Sequence, residues 1–266
     1  MYDNIIEPRS PPRRGAGLVV WEAPMTELLY LQDSYLRAFD AAVVAAEGSA
    51  VALNRTAFYP GGGGQPADAG LLRWPAGEAG ITEMRRDGET VWHVLDGPAP
   101  AAGTAVSGML DWERRYAIMR HHSALHILVA AVYRLFGARV TGGAIYPDRA
   151  RMDFTLEDLS KDRVASIEAE TNRVIAEERR ILVRFVARDE FERSDLVRLA
   201  RDLVPRDLAQ VRVVEIEGYD AQADGGTHVA QTSEIGALTI VKTENKGKAN
   251  RRLEVRLAAP RAAHDG

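Results

Sequence analysis

The sequence predicts an α+β protein, with a small N-terminal β-barrel followed by a domain in which helices pack on one face of an antiparallel sheet. Three observations lead there. Residues from Glu27 to about Trp112 read as short apolar runs cut by Glu-Gly, Asp-Gly and Gly-Pro breaks, as in small barrels. From Glu113 the pattern becomes that of a long helix, and the final third returns to strands ending in a hairpin.

Taken in order, residues 1–24, "MYDNIIEPRSPPRRGAGLVVWEAP", carry four prolines and three arginines with little periodicity, and read as a disordered leader. The apolar "GAGLVV" is too brief for a signal peptide. Met25, where the denser pattern begins, is read as the natural start of translation, and deletion of the leader is expected to change neither stability nor activity. Barrel strands are then read from "AAVVAAEGSAVAL", "AGLLRW", "TVWHVLD" and "TAVSGMLD". "ERRYAIMRHHSALHILVAAVYRLFG" places Ile118, Leu125, Leu128, Val129, Val132 and Leu135 at helical spacing and stops on Gly137, a common helix terminator.

The strand-like "ARVTGGAIYPDRARMDFTL" follows, and Ser160 is the expected N-cap of a second helix. Val164, Ile167, Val174, Ile175 and Ile181 are assigned to its apolar face. Strand "LVRFVAR", a short helix from Ser194 to Leu203, strand "VRVVEIEG" and a hairpin of "IGALTIVKT" with "RRLEVRLA" complete the chain. In the second arm Leu253, Val255 and Leu257 alternate with Arg252, Glu254 and Arg256, as one buried sheet face requires. The implied domains are 25–112 and 113–258, with a short tail over 259–266.

Composition bounds the chemistry. With 266 residues, 46% hydrophobic and 27% charged, the chain is of ordinary globular composition, and no apolar run is long enough to span a bilayer. The absence of cysteine excludes disulfides, thiolate nucleophiles and cysteine-type zinc knuckles, so any metal must be held by histidine and carboxylate. This usage fits a reducing, cytoplasmic setting. A formal charge of -4 argues against a generic polyanion binder; nucleic acid would have to meet a local basic face.

His122 and His126 stand at i and i+4, so their rings project from one face of the first helix. Such a pair is half of a tetrahedral site, or simply two hydrogen-bonded histidines; His121 points elsewhere. "ADGGTHV", residues 223–229, is ordinary turn chemistry and also offers Asp224 and His228 as two further arms. Gly61, Gly62, Gly63 and Gly64 with Gln65 form a run that is either a flexible linker or a loop whose backbone must come close to something.

Together, "TAFYPGGGGQPADAG", "RHHSALHIL" and "DGGTHVAQTSEIG" closely resemble the alanyl-tRNA editing proteins, free-standing relatives of the editing domain of alanyl-tRNA synthetase. The likeness covers about Met25 to Leu257 and is greatest to the medium-length type with its added glycine-rich barrel, a translation-protein-like domain. It implies one zinc ion per chain, held by His122, His126 and His228, with Asp224 standing where the family usually has cysteine. Carboxylate preserves the charge of the thiolate but not its softness, so another divalent metal becomes admissible.

The implied activity is hydrolysis of the ester of mischarged Ser-tRNA(Ala), with Gly-tRNA(Ala) as the other candidate; it needs no ATP, since the ester is already activated. A pocket that admits serine cannot reject alanine by size and must read the hydroxyl; Thr141, in the segment where the resemblance places such a threonine, is the candidate, and a plain β-branched strand residue is its alternative reading. The alternative reading is a tRNA-binding or regulatory module whose catalysis was lost with the cysteine. The acceptor stem of tRNA(Ala) is the implied partner, met by Lys242, Lys246, Lys248, Arg251 and Arg252 at the hairpin end, which is otherwise a solvated turn. The chain is read as a monomer or homodimer.

Overall fold

A computed structural model describes residues 25–193 and 209–259. The leader, the short helix expected from Ser194 to Leu203 and nearly all of the tail lie outside them. The chain divides into two compact units, one holding residues 25–61 and 67–112, the other 62–66 and the described residues from 113 onward.

The first unit is a closed six-stranded barrel in the order β2-β3-β7-β6-β5-β8. Its strands are β2 (Ala38–Glu47), β3 (Ala50–Leu53), β5 (Gly70–Trp74), β6 (Gly77–Asp87), β7 (Thr90–Leu95) and β8 (Ala105–Leu110), with a short parallel pair, β1 (Glu27–Leu28) and β4 (Arg55–Thr56), beside them. The expected Glu-Gly and Asp-Gly breaks are turns between paired strands, β2 to β3 and β6 to β7. Closure leaves no unpaired edge in the barrel and turns Phe39, Val43, Val51, Leu53, Phe58, Leu72, Val106 and Leu110 inward. Phe39 and Phe58 meet edge to face at 5.4 Å.

In the second unit α1 (Trp112–Phe136) is buried over most of its length and ends at Gly137, whose N–H bonds Tyr133 O. A four-stranded antiparallel sheet runs β14 (Leu238–Asn245), β15 (Arg251–Leu257), β10 (Ala150–Phe154), β9 (Val140–Ile145). A three-stranded one runs β11 (Ile181–Ala187), β12 (Gln210–Ile216), β13 (Asp220–Ala223). Helix α2 (Lys161–Ala176) opens on Ser160, whose hydroxyl accepts from Arg163 N. It buries Ile167, Val174 and Ile175. Its Asn172 amide brackets both backbone groups of Leu238, and Glu168 accepts from Ile240 N, so helix side chains satisfy part of the outer edge of β14. A short α3 (Arg188–Arg193) packs Phe191 against Val186, Val211 and Val213.

Ile181 departs from expectation. The helix stops at Ala176, and Glu178 adopts a left-handed φ of 55°, which breaks the helical period before Ile181 is reached. Ile181 instead begins β11, paired with Ile216.

No helix of the described residues is long and apolar enough to cross a membrane.

Candidate metal centre

Three pieces of chain converge on one buried point of the second unit. The first is α1, whose 3.6-residue period stacks His122 over His126, ring centroids 5.0 Å apart. The second is the segment leaving β13. Asp224 N still bonds Arg212 O as a last rung of the ladder, and Gly226 N then donates to Asp224 Oδ1 at 2.6 Å. That bond makes the turn that Asp-Gly-Gly favours, and it swings His228 back over α1. The third is the loop at 62–66, which carries Gln65.

His122, His126, Asp224 and His228 each offer a ligand atom, all within 4.8 Å of one another. Asp224 Oδ2 lies 3.5 Å from His122 Nε2 and 3.8 Å from His126 Nε2, and Oδ1 lies 3.0 Å from His228 Nε2. Tetrahedral zinc with bonds of about 2.1 Å would set its ligand atoms about 3.4 Å apart. The three spacings bracket that edge, and the three imidazoles with one carboxylate are an accepted donor set, so the residues fit the ion the sequence resemblance implies.

Electrostatics favours the same assignment. Burial alone would push the Asp224 carboxyl up, but attraction to His122 and hydrogen bonds from His122, His126 and His228 outweigh it and hold the carboxyl well below the usual carboxylate range. Burial, with repulsion from His122 and His126, pushes His228 well below the ordinary imidazole value, against the opposing pull of Asp224. At neutral pH the site therefore presents an anionic carboxylate and a neutral His228, the forms that ligate a cation.

The surrounding residues fix these groups. Ser123 Oγ lies 3.1 Å from His228 Nδ1 and accepts from Val229 N. Arg212, largely buried, donates to the Asp224 carbonyl at 2.7 Å and sets its positive charge 4.0 Å from Oδ1. Gln65 is buried, accepts from Thr227 N at 3.1 Å and lies 2.9 Å from His122 Nδ1. Ser123, Arg212 and Thr227 were not among the sequence candidates. Ser123 was legible in principle, lying on the helix next to His122.

Other candidates fall elsewhere. His121 Nδ1 sits 2.9 Å from Ala117 O, outside the group of four, and His93 belongs to the barrel. Thr141, exposed on β9, donates its hydroxyl to Asn250 Oδ1 at 3.0 Å. At the hairpin end Arg252 forms a two-pronged pair with Asp153, and Arg251 donates to the carbonyls of Gly247 and Asn250. Lys242 and Lys246 are exposed and flank Glu244, and Lys248 is exposed at the turn. Gly61 to Gly64 all have positive φ (92°, 133°, 57° and 88°), a succession that only glycine adopts without strain.

Residues 211–254 match the family described as the threonyl and alanyl tRNA synthetase second additional domain, and residues 25–114 match that described as tRNA synthetases class II (A). The chain is 41% identical over 232 residues to an alanyl-tRNA editing protein AlaX-M of Saccharolobus solfataricus, covering 86% of this chain and 98% of the relative. The corresponding protein of Methanosarcina barkeri is 40% identical at the same coverage. An alanine–tRNA ligase of Pyrobaculum neutrophilum is 38% identical over 234 residues, 85% of this chain but 26% of the ligase.

Proposed function

Since the chain belongs to the AlaX-M family of alanyl-tRNA editing proteins, we propose that it is a trans-acting aminoacyl-tRNA deacylase. Its reaction is the hydrolysis of Ser-tRNA(Ala), with Gly-tRNA(Ala) second, dependent on one divalent ion, zinc first, at His122, His126, Asp224 and His228. The convergence of three imidazoles and a carboxylate carries this reading. When bound, the ion supplies Lewis acidity toward the ester carbonyl or a water of lowered pKa.

The remaining chemistry falls to the chain. The Asp224 carboxylate is the single anion among the four ligands and balances half of the charge of a divalent ion. His228 presents Nε2 to the centre when its Nδ1–H donates to Ser123 Oγ, the orientation that a bound ion selects. Arg212 anchors the Asp224 backbone and sets a positive charge 4.0 Å from Oδ1. Loss of the family cysteine therefore removes softness without removing the anionic arm, which favours an active enzyme over an impaired tRNA-binding module. The N-terminal domain over 25–112, a translation-protein-like barrel, is proposed to help present the acceptor stem, with Lys242, Lys246 and Lys248 as phosphate contacts. Discrimination against alanine is proposed to rest on Thr141, whose hydroxyl must first leave Asn250. A cytoplasmic setting follows from the substrate.

The test is deacylation of Ser-tRNA(Ala) and Ala-tRNA(Ala) by the purified protein, before and after chelation. Loss of serine only, abolished by chelation and restored by zinc, is expected. Preservation of both esters with zinc present would overturn the enzyme reading, and hydrolysis untouched by thorough chelation would overturn the metal.

A further inference from the structure

The glycine run poses a question that the four ligands leave open: why so strained-looking a backbone should be held against this unit. Gly62 and Gln65 exchange two backbone hydrogen bonds, at 3.0 and 2.9 Å, closing a tight turn. Gly64 O accepts from Ile145 N at 2.9 Å, and a Cβ at Gly64 would sit 3.0 Å from Gly143 O, so the turn lies directly on β9. The product of this geometry is the placement of one side chain. Gly63 and Gly64 face solvent, whereas Gln65 is 3% exposed and turned into the metal centre.

There its amide is fully oriented. Thr227 N–H can only donate, so the atom it meets at 3.1 Å is the Gln65 carbonyl oxygen, and the amide nitrogen then donates to Thr227 Oγ1 at 3.0 Å. With Oε1 an acceptor, His122 Nδ1 at 2.9 Å must carry the proton. In the neutral ring that leaves the lone pair on Nε2, the nitrogen facing Asp224 and the other ligands. Gly226 completes the arrangement, since a Cβ there would lie 2.4 Å from His122 Cε1 and 2.6 Å from Gln65 Oε1. Two glycine-rich segments, linked through Gln65 and Thr227 at a sequence separation of 162, are thus shaped around one Gln65–His122 hydrogen bond.

We propose that Gln65 is a positioning residue for the metal centre, holding His122 as the Nδ1–H tautomer so that Nε2 is the ligand, and that the glycine run exists to deliver it. This rests on the metal reading above. Outer-shell hydrogen bonds of this kind are typically worth about 10- to 100-fold in metal affinity.

The experiment has two arms on the full chain. Zinc affinity is measured by competition with a chromogenic chelator for wild type, Gln65→Ala and Gln65→Glu. Histidine side-chain 15N spectra of the metal-free protein are recorded above about pH 8, where imidazoles are neutral. Gln65→Ala should weaken zinc roughly 10- to 100-fold. Gln65→Glu, still able to accept from His122 and Thr227, should stay near wild type. Wild-type His122 should show Nδ1–H, and Gln65→Ala should lose that preference. Folded Gln65→Ala with wild-type zinc affinity overturns the proposal, as does a wild-type His122 protonated on Nε2. Should Gln65→Ala fail to fold, the wild-type spectrum and Gln65→Glu decide. Wild type that binds no zinc overturns the metal reading itself, an outcome distinct from equal binding by wild type and Gln65→Ala.

Discussion

Asp224 Oδ1 accepts from Gly226 N at 2.6 Å and lies 3.0 Å from His228 Nε2, so a single carboxylate oxygen both makes the turn and faces the ring that the turn delivers. The same carboxylate reaches His122 and His126 through Oδ2. The turn and the candidate ligand geometry are therefore one arrangement, not alternatives.

Asp224→Ala should consequently lower metal affinity by more than about 100-fold, beyond what outer-shell changes cost, and reduce deacylation in parallel. Far-ultraviolet circular dichroism should be little changed, because Gly225 and Gly226 permit the turn without the side chain. Asp224→Cys should bind zinc more tightly through its softer ligand, without a matching gain in turnover. Metal content by mass spectrometry and single-turnover deacylation read both. Full metal and full activity in Asp224→Ala would reduce Asp224 to its turn.

Acidification should release the ion. Protons compete with the metal for imidazole and carboxylate, so affinity falls with pH. His228 and Asp224 are both held below their ordinary values, so neither opposes binding at neutral pH, and release is expected below the reference imidazole value of about 6.5. Zinc retained at pH 4 would contradict the assignment of three histidine ligands.

Much of this was legible in the sequence, and for identifiable reasons. A period of 3.6 puts His122 over His126, and Asp-Gly-Gly makes the same turn wherever it stands, so local rules reached all four candidate ligands and the bend that carries Asp224 and His228. Gln65 was legible only as the residue after a glycine run. Its partners His122 and Thr227 lie 57 and 162 positions away, and nothing local specifies that pairing. Ile181 was misplaced because it stands seven residues, about two helical turns, after Val174, while the left-handed Glu178 that ends the pattern has no glycine to announce it. The ring of Arg251 and Arg252 contacts to Asp153 and to backbone carbonyls was equally invisible, since charge alone does not say whether an arginine faces solvent or protein.

Thr141→Val tests hydroxyl reading. The substitution keeps the β-branched shape that suits β9 and removes the hydroxyl now given to Asn250. If that hydroxyl reads serine, the preference for Ser-tRNA(Ala) over Ala-tRNA(Ala) should fall at least tenfold, while metal content stays unchanged. An unchanged ratio of kcat/KM values would return Thr141 to a structural role in the hairpin contact.

In the barrel, His93 should make stability depend on pH. Its Nδ1 faces Val51 O at 3.4 Å and its Nε2 faces Thr56 Oγ1 at 3.0 Å, and burial, only partly opposed by the Val51 bond, lowers its pKa to about 4. The unfolded chain takes up the proton first, near pH 6.5, so the native state incurs no penalty above that value and a growing one below it. The penalty levels off near pH 4 at about 3 kcal/mol, at 1.36 kcal/mol per pH unit. Urea denaturation of wild type and His93→Gln across this range should give a stability difference that shrinks as pH falls. A pH-independent difference would show that His93 is not the group responsible.

The hairpin lysines test the RNA face. Arg251 and Arg252 are held by protein partners and Lys242 pairs with Glu244 at 2.5 Å, which leaves Lys246 and Lys248 as the exposed cations best able to meet phosphate; Lys246 lies 3.8 Å from Glu244, a pairing that exposure makes weak. Each phosphate contact releases counterions, so Lys246→Glu with Lys248→Glu should weaken tRNA binding and flatten the slope of log affinity against log salt by about 2. Arg252→Gln supplies the contrast. It breaks the pair with Asp153 across β10 and β15, and should lower thermal stability while leaving the salt slope nearly intact. If the double lysine variant keeps both affinity and slope, the hairpin end is a solvated turn, and the acceptor stem must be met by another surface.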